Sequence, residues 1–599
     1  MDRALIIGID FGTTYSGVAW ALSHHPDDIE VVTSWSSSYS HNTDCKKVPT
    51  RIKFDSSGVR WGFQSPFDCE TIAWFKLLLI NEKDLPRDIL DCSYYQAAQK
   101  RQKDIGKSPV DIVASFLACL WQHSLQAIEG CLGEKFLKEC RFHVVFTVPA
   151  IWPHYAHNLM REAAAKAQIL QVRSCGVTTL QFISEPEAAA LAIIKELRKR
   201  ISIKIGDRFV VCDAGGGTVD LISYSVMGTS PLRLKECVRG SGDLAGGLFL
   251  DEQFFQLLRR KSLASDSTNQ AVLAKFLNDN WEHGVKPQFS GQDQSWGLDL
   301  PNSMNCAPLR RRTRTLEISS TELCGVFEPI VKKILRLIQS QFIFLVGGLG
   351  RSPYLLKRVK EEYKSSQTEV LQLPGHKPWT AVVIGAVHHG LTSFHTPEAQ
   401  FGAAVETRIA RRSYGIMFDE EYCAERHSLE DKYFDENTGS YMARNQMKWF
   451  LTQVRVTPPI PTVHFLQVSR LTKWLIQGSE LSSLSRVRQT FFAVYDPSIK
   501  VLEELEEFYV SDAAIPPPRM TDSVLKLCTV RWSNPIKCSS IPLRKSATGG
   551  SKYRRLEFDI EMTCDGLTIE FAVYFKDERV AERSLVVEYY NDQKGRALR

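Results

Sequence analysis

The sequence predicts an α/β protein through about residue 395, followed by a β-rich C-terminal body. Three observations carry that reading. In the first two-thirds of the 599 residues, short apolar runs alternate with helical stretches. Past residue 395 helical periodicity fades and strand patterns dominate. Near the C-terminus, apolar and polar residues alternate on both sides of a tight-turn dipeptide. At roughly 150 residues per domain, the length suits about four compact units grouped into two or three larger bodies. With 44% hydrophobic and 24% charged residues, the composition is that of a globular chain.

In chain order, the strand candidates are Leu5–Ile9, Phe142–Val148, Phe209–Cys212 and Phe342–Val346. Each is apolar almost throughout, as expected of a strand buried on both faces. The stretch 185–200 reads as a helix, with Pro186 in the first turn and acids early, bases late. The stretch 326–341 puts Val326, Phe327, Ile330, Val331, Ile334, Leu337 and Ile338 on one stripe, the face of a core helix. That helix runs into the Phe342 strand with almost no loop. Residues 396–402 read as a connection. Leu556, Phe558, Ile560 and Met562 then alternate with polar partners, Asp565-Gly566 follows, and Leu567, Ile569, Phe571, Val573 and Phe575 alternate again. This is a hairpin, and a further strand over 580–589 is expected to complete a meander.

Lys plus Arg is 74 and Asp plus Glu 68, a formal charge of +6. For this length that bias argues against a dedicated nucleic-acid binder. Among the fifteen cysteines the closest pair, Cys131 and Cys140, is nine positions apart, and no Cys-x-x-Cys occurs. Zinc ribbons and thioredoxin-type sites are disfavoured, and reduced thiols of cytosol or nucleus are expected. The apolar run 4–9 is too short for a signal peptide, and none approaches bilayer length. A cytoplasmic protein with no membrane partner is expected, the nucleus being the alternative.

Two segments look like versions of one device. The first is Ile7-Gly8-Ile9-Asp10-Phe11-Gly12-Thr13-Thr14-Tyr15-Ser16, and the second is Val211-Cys212-Asp213-Ala214-Gly215-Gly216-Gly217-Thr218-Val219-Asp220. Each runs from a strand through Asp-x-Gly and small residues with Thr into a second strand. A P-loop would leave as a helix with Gly-Lys-Ser/Thr, which is absent. Glycine lets backbone N–H groups approach closely, so such β-turn-β loops can wrap phosphate oxygens. Asp10 and Asp213, at the strand ends, can hold hydrated Mg²⁺. One Gly-rich turn is weak evidence; two related copies about 200 residues apart are far more specific.

The order of motifs resembles the nucleotide-binding domain of the heat shock protein 70 family, within the actin-like ATPase superfamily. The similarity covers roughly residues 4–395: the two loops, Val148-Pro149-Ala150, Glu185-Pro186 with its alanine-rich helix, Gly246-Gly247, and Leu345-Val346-Gly347-Gly348-Leu349-Gly350-Arg351-Ser352-Pro353. Trp74 to Leu79 and Arg411-Arg412-Ser413-Tyr414-Gly415-Ile416 are similar to the divergent lidless branch. The resemblance implies two ribonuclease-H-like lobes, 1–205 and 206–395, closing on ATP, with 396–599 a β-rich domain like a reduced substrate-binding domain. Gly12, Thr13, Thr14 and Tyr15 from one side and Gly215, Gly216, Gly217 and Thr218 from the other would cradle phosphates. Asp10 and Asp213 would hold Mg²⁺ through water. Lys76 matches the catalytic lysine, Glu185 and Asp220 would orient water and metal, and Thr218 completes the catalytic set. Pro149 matches the switch proline and Arg161 the arginine that reports its state. Gly246, Gly247, Gly347, Gly348 and Arg351 would line the nucleotide. The activity implied is slow Mg-dependent ATP hydrolysis coupled to conformational change, with ATP or ADP and a protein client, peptide or co-chaperone as partners. The alternative is a non-hydrolysing nucleotide-sensing scaffold. A sugar kinase is a weaker third option, since no hydroxyl-activating Asp is identified.

Plainer readings stand beside these. Lys76, among Trp74, Phe75 and Leu77–Leu79, could snorkel from an amphipathic helix. Glu185 could be only a helix N-terminal acid. The Arg310–Arg314 cluster reads as a solvated loop, and His24-His25 and His388-His389 as surface or core histidines. The sequence also departs from the family. Where the last helix is usually acidic it has Trp379-Thr380. Its adenine-clamp candidate, 281–287, puts Val285 at the lysine position and Lys286 at the arginine position. The acidic-apolar interdomain linker is absent between His395 and Glu406, and no helical lid follows the β region. The phosphate half of the site is kept and the adenosine half is not.

Overall fold

The computed structural model describes residues 4–37, 44–56, 58–66, 70–197, 203–230, 232–243, 245–261, 270–301, 315–338, 342–364, 368–394, 403–436, 439–452, 480–482, 486–495, 497–498, 502–513, 515–534, 541–545, 552–564, 569–580, 585–591 and 596–598. The chain forms two compact units: Met1–Lys235 with Gly240–Ala404, and Glu236–Arg239 with Val405–Arg599.

Two sheets in the first unit follow one plan. The first contains β1 (Ala4–Phe11), β2 (Tyr15–Leu22), β3 (His25–Val31), β4 (Arg141–Val148) and β5 (Thr179–Ser184), in the order β5-β4-β1-β2-β3. β1 and β2 are antiparallel, and β1 runs parallel to β4 and β4 to β5. The second contains β6 (Arg208–Ala214), β7 (Val219–Thr229), β8 (Leu232–Asp243), β9 (Phe342–Val346) and β10 (Glu369–Gln372), in the order β10-β9-β6-β7-β8. Again the first two strands pair antiparallel, and β6 runs parallel to β9 and β9 to β10. The apolar runs behave as their composition demands: every residue of β1 is buried. The four predicted strands are all present, each extended by at most three residues at the ends.

Helices cover these sheets. They are α1 (Pro109–Leu132), α2 (His154–Lys166), α3 (Glu185–Leu197), α4 (Gly247–Arg260), α5 (Ser320–Leu337), α6 (Pro353–Glu362) and α7 (Lys377–Phe394). α5 begins in a capping box, Ser319 with Glu322, and buries Val326, Phe327, Ile330, Val331 and Ile334, the predicted stripe. Residues 339–341, on which the short join falls, lie outside the described residues, as do the Arg310–Arg314 cluster and the connection 396–402. α7 lies on β1 through Gly8, where a Cβ would sit 2.8 Å from the Val383 carbonyl oxygen. Among the described residues no helix is long and apolar enough to cross a membrane.

In the second unit, strands dominate as expected. One sheet contains β11 (Ser413–Glu421), β12 (Ser440–Leu451), β14 (Leu502–Ser511), β15 (Val524–Asn534) and β18 (Leu585–Asn591); the other contains β13 (Arg486–Tyr495), β16 (Lys552–Cys564) and β17 (Ile569–Phe575). Their inner faces share one core. Phe508 meets Phe571 at 4.4 Å between ring centroids and Trp532 meets Phe558 at 5.0 Å. Leu556, Phe558, Ile560 and Met562 are each about 2% exposed, so the predicted alternation is a core face. The Asp565-Gly566 turn and Leu567 lie outside the described residues. The expected meander is corrected. β18 does not join β17; it pairs antiparallel with β15 in the other sheet, because a short Glu578–Arg579 strand already takes the β17 edge.

Candidate functional site

The two Gly-rich turns sit at corresponding places, between β1 and β2 and between β6 and β7, and they touch. In the second turn the Gly215 amide donates to the Thr218 carbonyl at 2.9 Å. A Cβ on Gly216 would lie 2.0 Å from Thr14 Oγ1, and one on Gly217 would lie 3.4 Å from Thr13 Oγ1. Only a residue without a side chain fits between the turns at 216. The start of α4 packs on the same turn: Gly247 N–H donates to the Gly215 carbonyl at 3.0 Å and Leu248 N–H to Gly216 at 2.9 Å. A Cβ on Gly246 would come within 2.3 Å of the Gly216 oxygen. A third glycine turn closes the end of β6. Gly347 has φ +86°, and a Cβ there would lie 2.4 Å from Asp213 Oδ1. All of the predicted site residues except Gly246 and Asp220 line one cleft of about 1400 Å³, and Pro149 lines it too.

Three acids line its floor and a fourth, Asp220, stands behind Asp213. Asp10 ends β1 and Asp213 ends β6; Asp220 opens β7 directly opposite Asp213; Glu185 opens α3. Burial first, and then the charges of Glu185, Asp220 and Asp10, push the Asp213 carboxyl well above its ordinary value. Burial and the Glu185 charge push Asp220 up to about 7, although Thr218 donates to it. Burial likewise raises Glu185, against the pull of Lys76. Asp220 Oδ1 is buried with no hydrogen-bond partner. Burial and mutual repulsion thus disfavour the charged form of these acids, and a divalent cation beside them would favour it. Among the described residues no group of three or more His, Cys, Asp or Glu is arranged to ligate a metal directly.

Lys76 does not snorkel. It lies in a 3₁₀ turn, Phe75–Leu79, entered through Trp74 at φ +63°, and its side chain is only 2% exposed. Its ammonium donates to Glu185 Oε1 at 2.7 Å and stands 5.0 Å from the centre of the Trp152 ring. The left-handed turn at a non-glycine residue is costly and is held by Trp74 stacking on Tyr94 at 5.3 Å. Glu185 is correspondingly more than a helix-end acid, since it carries this ion pair. Arg161, in contrast, is on α2 with its guanidinium over the Phe182 ring, and it does not line the cleft.

Several lining residues went unread in the sequence. Lys47 donates to Asp10 Oδ2 at 2.5 Å, and Thr147 donates to the other oxygen at 3.2 Å. At the opposite end Arg351 stacks over Trp379 at 4.9 Å, and Trp379 meets Tyr15 edge-on at 5.5 Å. Of the clamp candidate 281–287, residues 281–285 fall in a π-helical stretch, Leu277–Val285, and Lys286 and Pro287 follow it. In it Val285 is core, while Lys286 is held by Asp251 at 2.8 Å and Glu282 at 2.6 Å. The Trp281 indole donates to the same Asp251 oxygen at 2.6 Å. Only the acidic Glu282 and the Lys286 charge were legible as a clamp; Asp251 lies in an ordinary helix pattern.

The Asp220 environment gives a testable pH dependence. Its pKa is about 7 in the fold and near 3.8 when unfolded, so between those values the folded chain binds the extra proton. Stability then falls as pH rises from about 4 to 7 and levels off above. In metal-free, nucleotide-free protein this group should cost about 2–3 kcal/mol between pH 5 and 7. Denaturant midpoints across that range should show the slope, and Asp220→Asn should flatten it; an identical slope in the variant would assign it to another group.

The chain is 23% identical over 535 residues to heat shock 70 kDa protein 12A of Mus musculus, covering 71% of this chain and 74% of that protein. The Homo sapiens 12A protein is 23% identical over 537 residues, with the same coverage. Homo sapiens heat shock 70 kDa protein 12B is 25% identical over 531 residues, covering 71% and 73%. No family model matches the chain. The resemblance read from the motifs thus extends along most of the sequence: the chain is a relative of divergent heat shock protein 70 family members.

Proposed function

We propose that this relative of the heat shock 70 kDa proteins binds ATP with Mg²⁺ in the cleft and hydrolyses it slowly, coupling the bound phosphates to a change of conformation. The observation that carries the reading is the convergence of three glycine turns, at 12–15, 215–218 and 347–348, on Asp10, Asp213 and the part-buried Glu185, with buried Asp220 beside Asp213 and two buried lysines, Lys47 and Lys76. On this reading residues 1–205 and 206–395 are the two lobes of an actin-like ATPase, which the repeated sheet plan supports. Residues 396–599 are then a β-domain that holds protein or peptide clients, in a cytosolic protein.

The phosphates would lie between the two turns, taking the amides of Gly12–Tyr15 and Gly215–Thr218 and the Thr13 and Thr14 hydroxyls. Mg²⁺ would be held through water by Asp213, with Asp220 behind it, and would neutralise phosphate charge. Glu185 orients the attacking water. Lys76, fixed by Glu185 and Trp152, presents a positive charge where negative charge builds on the transferred group. Gly347, Gly348 and Arg351, with Trp379, flank the nucleoside. Lys286, committed to Asp251 and Glu282, lies at the same end.

The test is phosphate release from the purified full chain with saturating Mg-ATP. Slow release, abolished by EDTA, is expected. Binding with no release above the buffer control would overturn the hydrolytic part and assign the cleft to a nucleotide-sensing scaffold.

A further inference from the structure

We infer that Lys47 is a resident cation of the cleft: its ammonium fills the place at Asp10 that a metal ion would otherwise take, so the site needs one divalent cation, on the Asp213 side. The inference rests on the reading of the cleft as a nucleotide site, and it deepens that reading by setting how many ions the site uses.

The geometry is built for this contact. The short strand Val48–Pro49 pairs with β2, Ser16 opposite Val48 and Tyr15 opposite Pro49. In the same sheet Gly17 of β2 stands opposite Asp10 of β1. Lys47 therefore approaches Asp10 across Gly17, where a side chain would press on the lysine stem. A Cβ on Gly17 would lie 3.0 Å from Lys47 Cγ and 3.5 Å from Cε. The approach is pinned on both sides, since Thr50 N–H donates to the Thr14 carbonyl at 2.7 Å and the Ser16 and Thr50 hydroxyls bond at 2.8 Å. The Lys47 and Asp10 side chains are 7% and 6% exposed, so water scarcely screens the pair.

Charge bookkeeping on the floor gives the ion count. Three buried carboxylates and the part-buried Glu185 face two ammonium groups, Lys47 on Asp10 and Lys76 on Glu185. Among the described residues neither Asp213 nor Asp220 has an ion-pair partner, and Asp220 Oδ1 is a buried oxygen with no hydrogen-bond partner. A divalent ion balances those two. A second ion at Asp10 would have to displace a buried ammonium from its carboxylate. Asp10, read from the sequence as an Mg²⁺ residue, is thereby assigned to Lys47.

The experiment uses the full chain and two readouts. The first is affinity for a fluorescent ATP analogue as free Mg²⁺ is varied. Wild type should saturate along a single-ion curve. Lys47→Met should bind at least tenfold more weakly at 1 mM Mg²⁺ and recover at higher Mg²⁺ or K⁺ along a steeper curve. Gly17→Ala, which crowds Lys47 away from Asp10 without removing its charge, should shift the curve in the same direction. The second readout is the melting temperature without nucleotide. Added Mg²⁺ or K⁺ should raise it more for Lys47→Met than for wild type. Curves for both variants within threefold of wild type at every Mg²⁺ concentration would overturn the proposal. So would a weak Lys47→Met that no cation rescues, since Lys47 would then act on the ligand itself. If wild type binds no nucleotide, the nucleotide reading fails by itself. The melting arm still decides this one: no extra cation response in Lys47→Met overturns it.

Discussion

Replacing Lys76 by Met should cut ATP turnover about 100- to 1000-fold while leaving Mg-ATP affinity within about threefold. Methionine keeps most of the packing volume against Phe11 and Trp152 but removes the ammonium that stands 2.7 Å from Glu185. Phosphoryl transfer asks the protein for positioning and charge rather than for a covalent partner, so the loss falls on the chemical step. The single variant also leaves Glu185 buried without its partner, costing about 3–5 kcal/mol of stability. The double variant Lys76→Met/Glu185→Gln separates the two effects: most of that stability should return and turnover should not. Turnover in Lys76→Met within threefold of wild type would remove the lysine from the reaction.

Gly385→Val should be among the most damaging substitutions outside the cleft lining. A Cβ at this position of α7 would lie 1.7 Å from the Ala188 carbonyl oxygen and 2.3 Å from its carbon, both backbone atoms of α3. No rotamer change relieves a clash between two helix backbones, so the helices must separate. The expected cost is about 3 kcal/mol or more, read from urea midpoints, or failure to accumulate as soluble protein. Since α3 begins with Glu185, its displacement also moves the acid that holds Lys76. A variant within 0.5 kcal/mol of wild type would show that the helices can repack without this contact.

The parts of this molecule that could be read from the sequence are those whose signal is local. A strand buried on both faces must be apolar throughout, and β1, β4, β6 and β9 are. Turns that pack against each other this closely must be small, and Asp-x-Gly appears at both. Gly246 and Gly347 were singled out by motif, and their role is steric: each stands where a Cβ would strike the neighbouring turn. What escaped depends on partners far along the chain. Lys47 looks like any lysine before a short strand; only the Asp10 carboxylate, 37 residues away, makes it a buried ion-pair member. The surroundings of Lys76 fit a snorkelling lysine as well as a buried one, and periodicity could not choose, because the choice is made by Glu185 109 residues later. The Leu585–Asn591 strand is apolar enough to be seen, but its neighbour in the sheet was decided by the occupied edge of β17. The π-helical turn at 277–285 has no sequence signature at all.

The central claim is that the glycine turns and the acidic floor form a site for Mg-bound phosphates. Calorimetric titration of the metal-free full chain with ATP, in the presence and absence of Mg²⁺, tests it most directly. The account predicts a saturable one-to-one heat with Mg-ATP, weakened at least tenfold without the metal and by Asp213→Asn. No binding at millimolar Mg-ATP, or binding of equal strength with and without Mg²⁺, would contradict it.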